Sequence, residues 1–184
     1  MNESIICAGF GGQGIMTLGK VLANAGMELG FNVTWFPSYG AEVRGGTAHS
    51  MVRISGEYIA SPLVSLVDTA FIMNTPSLKK FENKVKEGGL IILNTSMVMS
   101  GSVRKDIDIA EAPLTDEAIK LGNVKVANMI AAGIYAARKN IINKEALISV
   151  IRKMAAGRED LISINIKAVE VGMEIGSRGK ETRW

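Results

Sequence analysis

The chain has 184 residues, 47% of them hydrophobic, with a formal net charge of +3 and one cysteine, and a mean hydropathy of +0.20. Length allows one sizeable core, so a single domain is expected over residues 1–176, with a charged, frayed tail over 177–184. The basic residues are spread out with few aromatics among them, which excludes a nucleic-acid groove, and no apolar run approaches the ~20 residues of a membrane span. Residues 1–15 lack the basic start and cleavage site of a signal peptide, so a cytoplasmic protein is expected. The lone Cys7 excludes an internal disulfide framework and any cluster ligated by this chain alone, and is read as core.

In chain order, Ile5, Ile6, Cys7 and Ala8 predict a buried parallel strand, followed at once by Gly9-Phe10-Gly11-Gly12-Gln13-Gly14 in GxGxxG order. A helix is expected from Ile15, because Ile15, Leu18, Leu22, Ala25 and Leu29 recur at helical spacing. Asn32 to Phe36 reads as a second strand, Tyr39 to Thr47 as a glycine-bearing loop, and Ala48 to Ser55 as a third strand by its alternation. Ser55-Gly56 predicts a turn, Glu57 to Ala60 the return arm of a short hairpin, and Leu63 to Val67 a short helix. Thr69 to Asn74 is the next buried strand; Pro76 opens a helix carrying Leu78, Phe81 and Val85 that stops at Gly88-Gly89. Leu90 to Asn94 and the weak Asp106 to Ala110 follow as strands, and Thr115 to Gly122 as a helix. Three helices close the chain, over Asn128 to Arg138, Lys144 to Ala156, and a last one spaced by Leu161, Ile164, Ala168, Val171 and Ile175. The alternation of strands and helices predicts an α/β fold: a single Rossmann-like, open, mainly parallel sheet with helices on both faces.

Strand, glycine turn and helix are contiguous, as a βαβ unit requires. Glycines there remove the Cβ atoms that would keep an anion from the peptide N–H groups at the helix start. Thr17, Lys20 and Asn24 share one polar side of that helix, and helical side chains lean toward the N-terminus, so Lys20 is expected over the turn. The competing reading is a tight turn that only packs helix on strand. An NAD site needs an acid ~20 residues past the glycines, at the end of the second strand. Here Pro37, Ser38 and Tyr39 stand at that end and the first acid is Glu42, which weakens the NAD reading. Arg44, beside Gly45 and Gly46, offers a guanidinium and bare backbone to an anion or a partner chain, against a surface ion pair with Glu42. The only histidine, His49, has no Ser or Cys partner in the sequence and is read as structural or interfacial. Asp68 and Asn94, at strand ends, are caps or ligand contacts. No catalytic constellation and no metal-ligand spacing emerges, so the isolated chain is expected to be inactive.

Four stretches, GFGGQGIMTLGKVLANA, SYGAEVRGGTAHSMVRIS, NMIAAGIYAA and LISINIKAVEVG, resemble the γ subunit of 2-oxoacid:ferredoxin (acceptor) oxidoreductases, over Ile5 to Gly176. The EVRGGTAHS block is closer to the 2-oxoglutarate and branched-chain members than to the pyruvate members. The resemblance implies a subunit of an enzyme that oxidatively decarboxylates a 2-oxoacid, 2-oxoglutarate first among the candidates, and releases acyl-CoA while reducing ferredoxin or another acceptor. It also implies a coenzyme A role for this domain, with Gly9, Gly11, Gly12, Gln13, Gly14, Lys20, Arg44, Gly45 and Gly46 as the residues that would carry it. The chain has no GDG…N thiamine diphosphate signature and no CxxCxxC motif. The resemblance therefore puts thiamine diphosphate, Mg and the iron–sulfur cluster on α and β partners, with a ferredoxin-like δ subunit and a γ self-contact as further candidates. The alternatives are a free-standing NAD(P)- or FAD-binding Rossmann protein and a scaffold whose glycine loops touch only protein.

Overall fold

The computed structural model describes residues 1–38 and 47–178. Six strands form one sheet: β1 (Asn2–Gly9), β2 (Asn32–Ser38), β3 (Ala48–Ser55), β4 (Val67–Ile72), β5 (Val85–Asn94) and β6 (Asp108–Ala112). Their order is β2-β3-β1-β4-β5-β6. β1 pairs in parallel with β4, β4 with β5 and β5 with β6, while β3 runs antiparallel to both β1 and β2. The expected mainly parallel sheet is therefore present with one reversed strand set between the first two. Ser50, Val52 and Ile54 of β3 are buried on one face and Met51 packs on the other, which is why this strand carries apolar residues on both sides.

Among the described residues six α-helices accompany the sheet: α1 (Ile15–Glu28), α2 (Thr75–Phe81), α3 (Leu114–Lys120), α4 (Ala127–Lys139), α5 (Lys144–Met154) and α6 (Glu159–Arg178). They are unevenly shared. α1 and α3 to α6 build the larger core with Ile5, Cys7, Phe71 and Ile92, whereas α2 supplies Leu78 and Phe81 to a smaller core with Ile6, Ala8, Ile72 and Ile91 on the opposite face. Helices lie on both faces, and one face carries most of them. α4 is buried from Ala127 to Ala137 because it is sandwiched between the sheet and α6. Burial with no partner but Ser50 pushes the Cys7 thiol well above the ordinary range and keeps it inert.

Three local expectations are corrected. The arm over Glu57 to Ala60 is not a strand, because β3 already has a partner on each edge and Glu57 N is tied back to Ser55 Oγ at 2.9 Å. Leu63 to Val67 is not a helix; Leu63 N bonds the Ser61 hydroxyl at 3.2 Å and Val67 opens β4. Gly88-Gly89 does not end a helix. α2 stops at Phe81, and the two glycines lie within β5, beside the register shift between Val67 and Thr69. Gly88 takes φ +71°, and a Cβ at Gly89 would meet the Asp68 carbonyl at 2.9 Å, so these glycines serve an irregularity in the ladder.

The last helix also differs from its predicted stripe. Its buried residues are Ile162, Ala168, Val169, Gly172 and Gly176, and the helix runs on to Arg178. Cβ atoms at Gly133 and Gly172 would collide with the Val169 and Ile130 carbonyl oxygens, so α4 and α6 touch backbone to backbone. Residues 179–184 lie outside the described residues. Among the described residues, no helix is long and apolar enough to cross a membrane.

Candidate functional site

β1 delivers the glycine turn to the carboxyl edge of the parallel strands, where open α/β sheets hold their ligands. The turn is fixed by one side chain. Gln13 Oε1 accepts from Phe10 N at 2.6 Å while Gln13 Nε2 donates to Met73 O at 3.1 Å, joining the turn to the end of β4. Gly9 is required by space, since a Cβ there would lie 2.6 Å from Gln13 Oε1 and 2.9 Å from Met73 Cβ. Gly12 is required by conformation: φ is +94°, and among the described residues nothing stands within 4 Å of the position a Cβ would take. That open side is what an approaching anion needs.

Gly14, at φ +72°, caps α1 without any side-chain hydrogen bond. The first-turn N–H groups of α1 are thus left for a ligand or water. Behind the cap stands Asn128, in the first turn of α4 and only 4% exposed. Its Nδ2 donates to Gly14 O at 3.0 Å. That bond fixes the amide orientation, so Oδ1 is the free acceptor, and it has no partner. A buried acceptor left unpaired costs about 1–3 kcal/mol, and Asn128 is among the residues that line a cavity.

The cavity measures about 610 Å³ and is walled by Phe10, Gly11, Gly12, Gly14, Thr17, Lys125 and Asn128, with Leu161 and Asn165 of α6 on the far side. A second groove of about 360 Å³ lies across the turn, against Met73, Met97 and Val124, and shares Lys125 with the first. Lys125 sits in the short turn that Asn123 caps at 3.0 Å on the way into α4. Phe10, Met97 and Val124 are exposed, giving the site an apolar rim.

The predicted residues separate. Gly9, Gly11, Gly12, Gln13 and Gly14 form the turn, and Thr17 lines the cavity. Lys20 does not reach over the glycines: its Nζ lies 5.0 Å from the Trp35 ring, on the β2 side of α1, and Lys125 takes the cationic place at the cavity. Asn24 bonds back to Lys20 O at 2.7 Å. Arg44, Gly45 and Gly46, with Glu42, lie outside the described residues. His49 Nδ1 bonds Thr47 O at 3.2 Å and its ring lies tilted 4.9 Å from Phe81; its backbone pairs with Ala8, next to the turn, but its side chain packs on the α2 side of the sheet. Asn94 is a cap, accepting from Thr115 N at 3.3 Å and donating to Thr115 Oγ1 at 2.9 Å.

Asp68 belongs to the opposite edge of the sheet, beside the start of β1, where it accepts from Ser4 N at 2.8 Å and from Lys86 Nζ at 2.7 Å. Burial raises its carboxyl, but the bonds from Lys86 and Ser4 outweigh that together and hold it below the usual carboxylate range. No group of His, Cys, Asp and Glu among the described residues is placed to hold a metal. Sequence reasoning missed Lys125 and Asn128. For Asn128 a signal existed, since it is the one polar side chain in the apolar run Val126 to Ala137 apart from Tyr135, and a lone polar residue on a buried helix has a partner to satisfy.

Residues 4–175 match the family model described as pyruvate ferredoxin/flavodoxin oxidoreductase. The chain belongs to this family. Among sequence relatives in the oxidoreductase family, the chain is 36% identical over 169 residues to the ketoisovalerate oxidoreductase subunit VorA of Methanothermobacter thermautotrophicus, covering 91% of this chain and 35% of that one. It is 31% identical to the 2-oxoglutarate synthase subunit KorC of Methanothermobacter marburgensis, over 98% of this chain and 100% of that one. The chain thus spans about a third of the ketoisovalerate relatives it matches, and the whole of a 2-oxoglutarate one. Among solved structures, the γ subunit of a keto/oxoacid ferredoxin oxidoreductase from Geobacter sulfurreducens superposes with a TM-score of 0.82 at 25% identity, over 95% of this chain and 98% of that one. A 2-oxoglutarate:ferredoxin oxidoreductase from Magnetococcus marinus, solved with 2-oxoglutarate, coenzyme A and succinyl-CoA bound, shares the fold at a TM-score of 0.87 and 23% identity, over 96% of this chain and 31% of that one.

Proposed function

We propose that this chain is the γ subunit of a thiamine diphosphate-dependent 2-oxoacid:ferredoxin (or other acceptor) oxidoreductase, and that it binds coenzyme A at the glycine turn. The enzyme would convert a 2-oxoacid and coenzyme A to acyl-CoA and CO2, passing two electrons to the acceptor. Full-length relatedness to 2-oxoglutarate synthase subunits favours 2-oxoglutarate; the higher identity to the ketoisovalerate subunits favours a branched-chain 2-oxoacid, and rates with the two acids separate these readings. With one cysteine this chain cannot ligate a cluster, so the cluster, thiamine diphosphate and Mg fall to α and β partners, with a ferredoxin-like δ subunit as a further partner. The cytoplasm is the location this reading carries.

The observation that carries the coenzyme A assignment is the cavity lined by the glycine turn, Lys125 and Asn128, where α1 presents N–H groups without a side-chain cap. Helix N-terminal amides, bare glycine backbone and the Lys125 cation suit a phosphate. A 2-oxoacid is too small to need a cavity of about 610 Å³, which lies in the range of drug-sized ligands. The reactive thiol must reach a partner's thiamine, so the exposed Phe10, Met97 and Val124 form the rim on which the catalytic subunits close. Arg44, Gly45 and Gly46 are proposed, from the sequence, to contact coenzyme A or a partner subunit.

In the reconstituted enzyme, Lys125→Ala removes one charge-assisted contact, about 1.5–3 kcal/mol, and is expected to raise the KM for coenzyme A at least tenfold. The KM for the 2-oxoacid stays constant. Lys20→Ala, which frees only the Trp35 ring, leaves both unchanged. The reverse ranking of the two lysines sinks the assignment.

A further inference from the structure

The two faces of the sheet meet their surroundings on different terms. α1 and α3 to α6 cover one face, and the outer side of that layer is laced by ion pairs between helices, Lys153 of α5 with Glu28 of α1 at 2.5 Å and Lys144 of α5 with Glu170 of α6 at 2.8 Å. Paired charges of this kind suit a surface that faces water. On the other face α2 is the one α-helix among the described residues, and the connections over residues 57–66 and 95–106 lie beside it. Both connections are pinned. Arg53 Nη1 donates to Ser61 O at 2.6 Å, and Val64 packs on the smaller core. Met99 N donates to Thr75 Oγ1 at 3.3 Å and Val103 N to Glu82 Oε1 at 3.1 Å, with Val98 buried in the same core. Yet these fixed segments turn large apolar side chains outward: Tyr58, Met99 and Val103 are 88, 96 and 84% exposed, and Leu63 and Leu66 are exposed with them.

Several large apolar groups held outward on one face mark an interaction surface. Its charge is one-sided around α2. Lys79, Lys80 and Lys84 are exposed, and among the described residues Lys79 and Lys84 form no ion pair. The Nζ atoms of Lys80 and Lys84 lie 5.4 and 5.5 Å from the Phe81 ring, which holds both cations on one patch. Complementarity calls for carboxylates on whatever covers it. The surface also runs on into the apolar rim of the glycine turn, because Met97 of the 95–106 connection lines the groove there. The ketoisovalerate relatives, of which this chain spans 35 and 36%, carry the larger part of their length outside this domain in the same polypeptide, so the domain has a large neighbour in those proteins. We propose that the α2 face is the surface on which a larger subunit of the same enzyme docks, its apolar side chains meeting residues 57–66 and 95–106 and its carboxylates meeting Lys79, Lys80 and Lys84. The inference rests on the γ-subunit reading and adds to it the face by which the subunit assembles.

The test follows amide hydrogen exchange of the full chain, alone and in the assembled complex, and measures assembly of three variants by titration. Lys79→Glu/Lys84→Glu is expected to weaken assembly about tenfold at low salt and to flatten its salt dependence. Met99→Glu/Val103→Glu, which sets unpaired charges in the apolar contact, should weaken it at least about tenfold at any salt. Met27→Glu, exposed on the helical face, should assemble as wild type. All the substituted side chains are exposed, so the Tm of the full chain is expected to hold in each variant. Slowed exchange over 57–66, 75–84 and 95–106 on assembly supports the docking surface. Protection confined to the helical face, or assembly indifferent to both double variants, overturns it while the γ-subunit reading stands. Protection of the α2 face in the chain alone, with a concentration-dependent dimer, overturns it too by making a second copy the occupant. A chain that joins no 2-oxoacid oxidoreductase subunits at all ends both readings.

Discussion

Two groups of glycines do opposite things in this molecule. At the end of β1 they keep space open: the Gly12 side that would carry a Cβ faces nothing within 4 Å among the described residues, and its φ of +94° shapes the turn. Between α4 and α6 they take space away, and Gly133 and Gly172 let the two backbones touch. Substitution at the first group should cost binding more than folding, and at the second folding more than binding. A glycine's role is thus set by what faces its missing Cβ, which sequence spacing alone does not state.

The largest effect is expected at Gly172. Its helical φ suits alanine, but the added methyl must displace Ile130 O and with it the α4–α6 contact, so Gly172→Ala should destabilise by about 3 kcal/mol, at the upper end for overpacking. Urea unfolding of the full chain measures it; at roughly 2–4 °C per kcal/mol for a chain this size, the Tm falls by about 6–12 °C. An unchanged midpoint would show that α6 can move away freely. Gly12→Ala should be milder for folding, about 1 kcal/mol from the positive φ alone, while the new methyl stands where the anion is to approach. Calorimetry should then show coenzyme A binding fall more steeply than stability. If stability falls and binding holds, the turn is packing and the contrast between the two groups collapses.

The smallest effect lies at the opposite edge of the sheet, where no ligand is expected. Glu3 is buried; desolvation raises its carboxyl pKa above the ordinary value despite a 2.6 Å bond from Thr69 Oγ1 and Lys139 at 3.5 Å. A group whose folded pKa is raised gives its stability fully below the unfolded carboxyl pKa, and that stability is lost as pH rises through the folded value. Glu3→Gln, which keeps an acceptor for Thr69, should therefore gain slightly in stability at alkaline pH and gain nothing near pH 4. A pH-independent difference between the two proteins would put the effect on packing instead of ionisation.

Strand, turn and first helix were legible because the chain writes them locally: a four-residue apolar run, glycines and a 3.6-residue stripe occupy adjacent positions. The sheet class was legible for the same reason. What could not be read were contacts between distant segments. Lys20 leans toward the helix N-terminus as helical geometry demands, but Trp35, brought beside α1 by β2, captures its ammonium. Lys125 reaches the turn only because α4 packs under α1, a pairing joined by Asn128 and Gly14 across 114 positions. The stripe Leu161, Ile164, Ala168, Val171 and Ile175 caught one side of the packed face of α6, with Ala168 buried and Ile164, Val171 and Ile175 against the core; it missed Gly172 and Gly176, where the backbones meet, because large apolar residues weigh most in a periodicity. Gly88-Gly89 failed as a helix stop because paired glycines punctuate strands as readily as helices.

The reversed strand β3 bears on what this scaffold can be turned into. In the dinucleotide fold the second parallel strand neighbours the first, so an acid at its tip stands beside the glycine turn and grips a ribose. Here β3 fills that slot, and β2 runs two strand spacings from β1, about 10 Å instead of about 5 Å. Writing an aspartate into the end of β2, at Ser38, would therefore leave the carboxylate a full strand too far out. Converting this turn to nicotinamide nucleotide use would require re-threading the sheet; no single substitution at the edge supplies it.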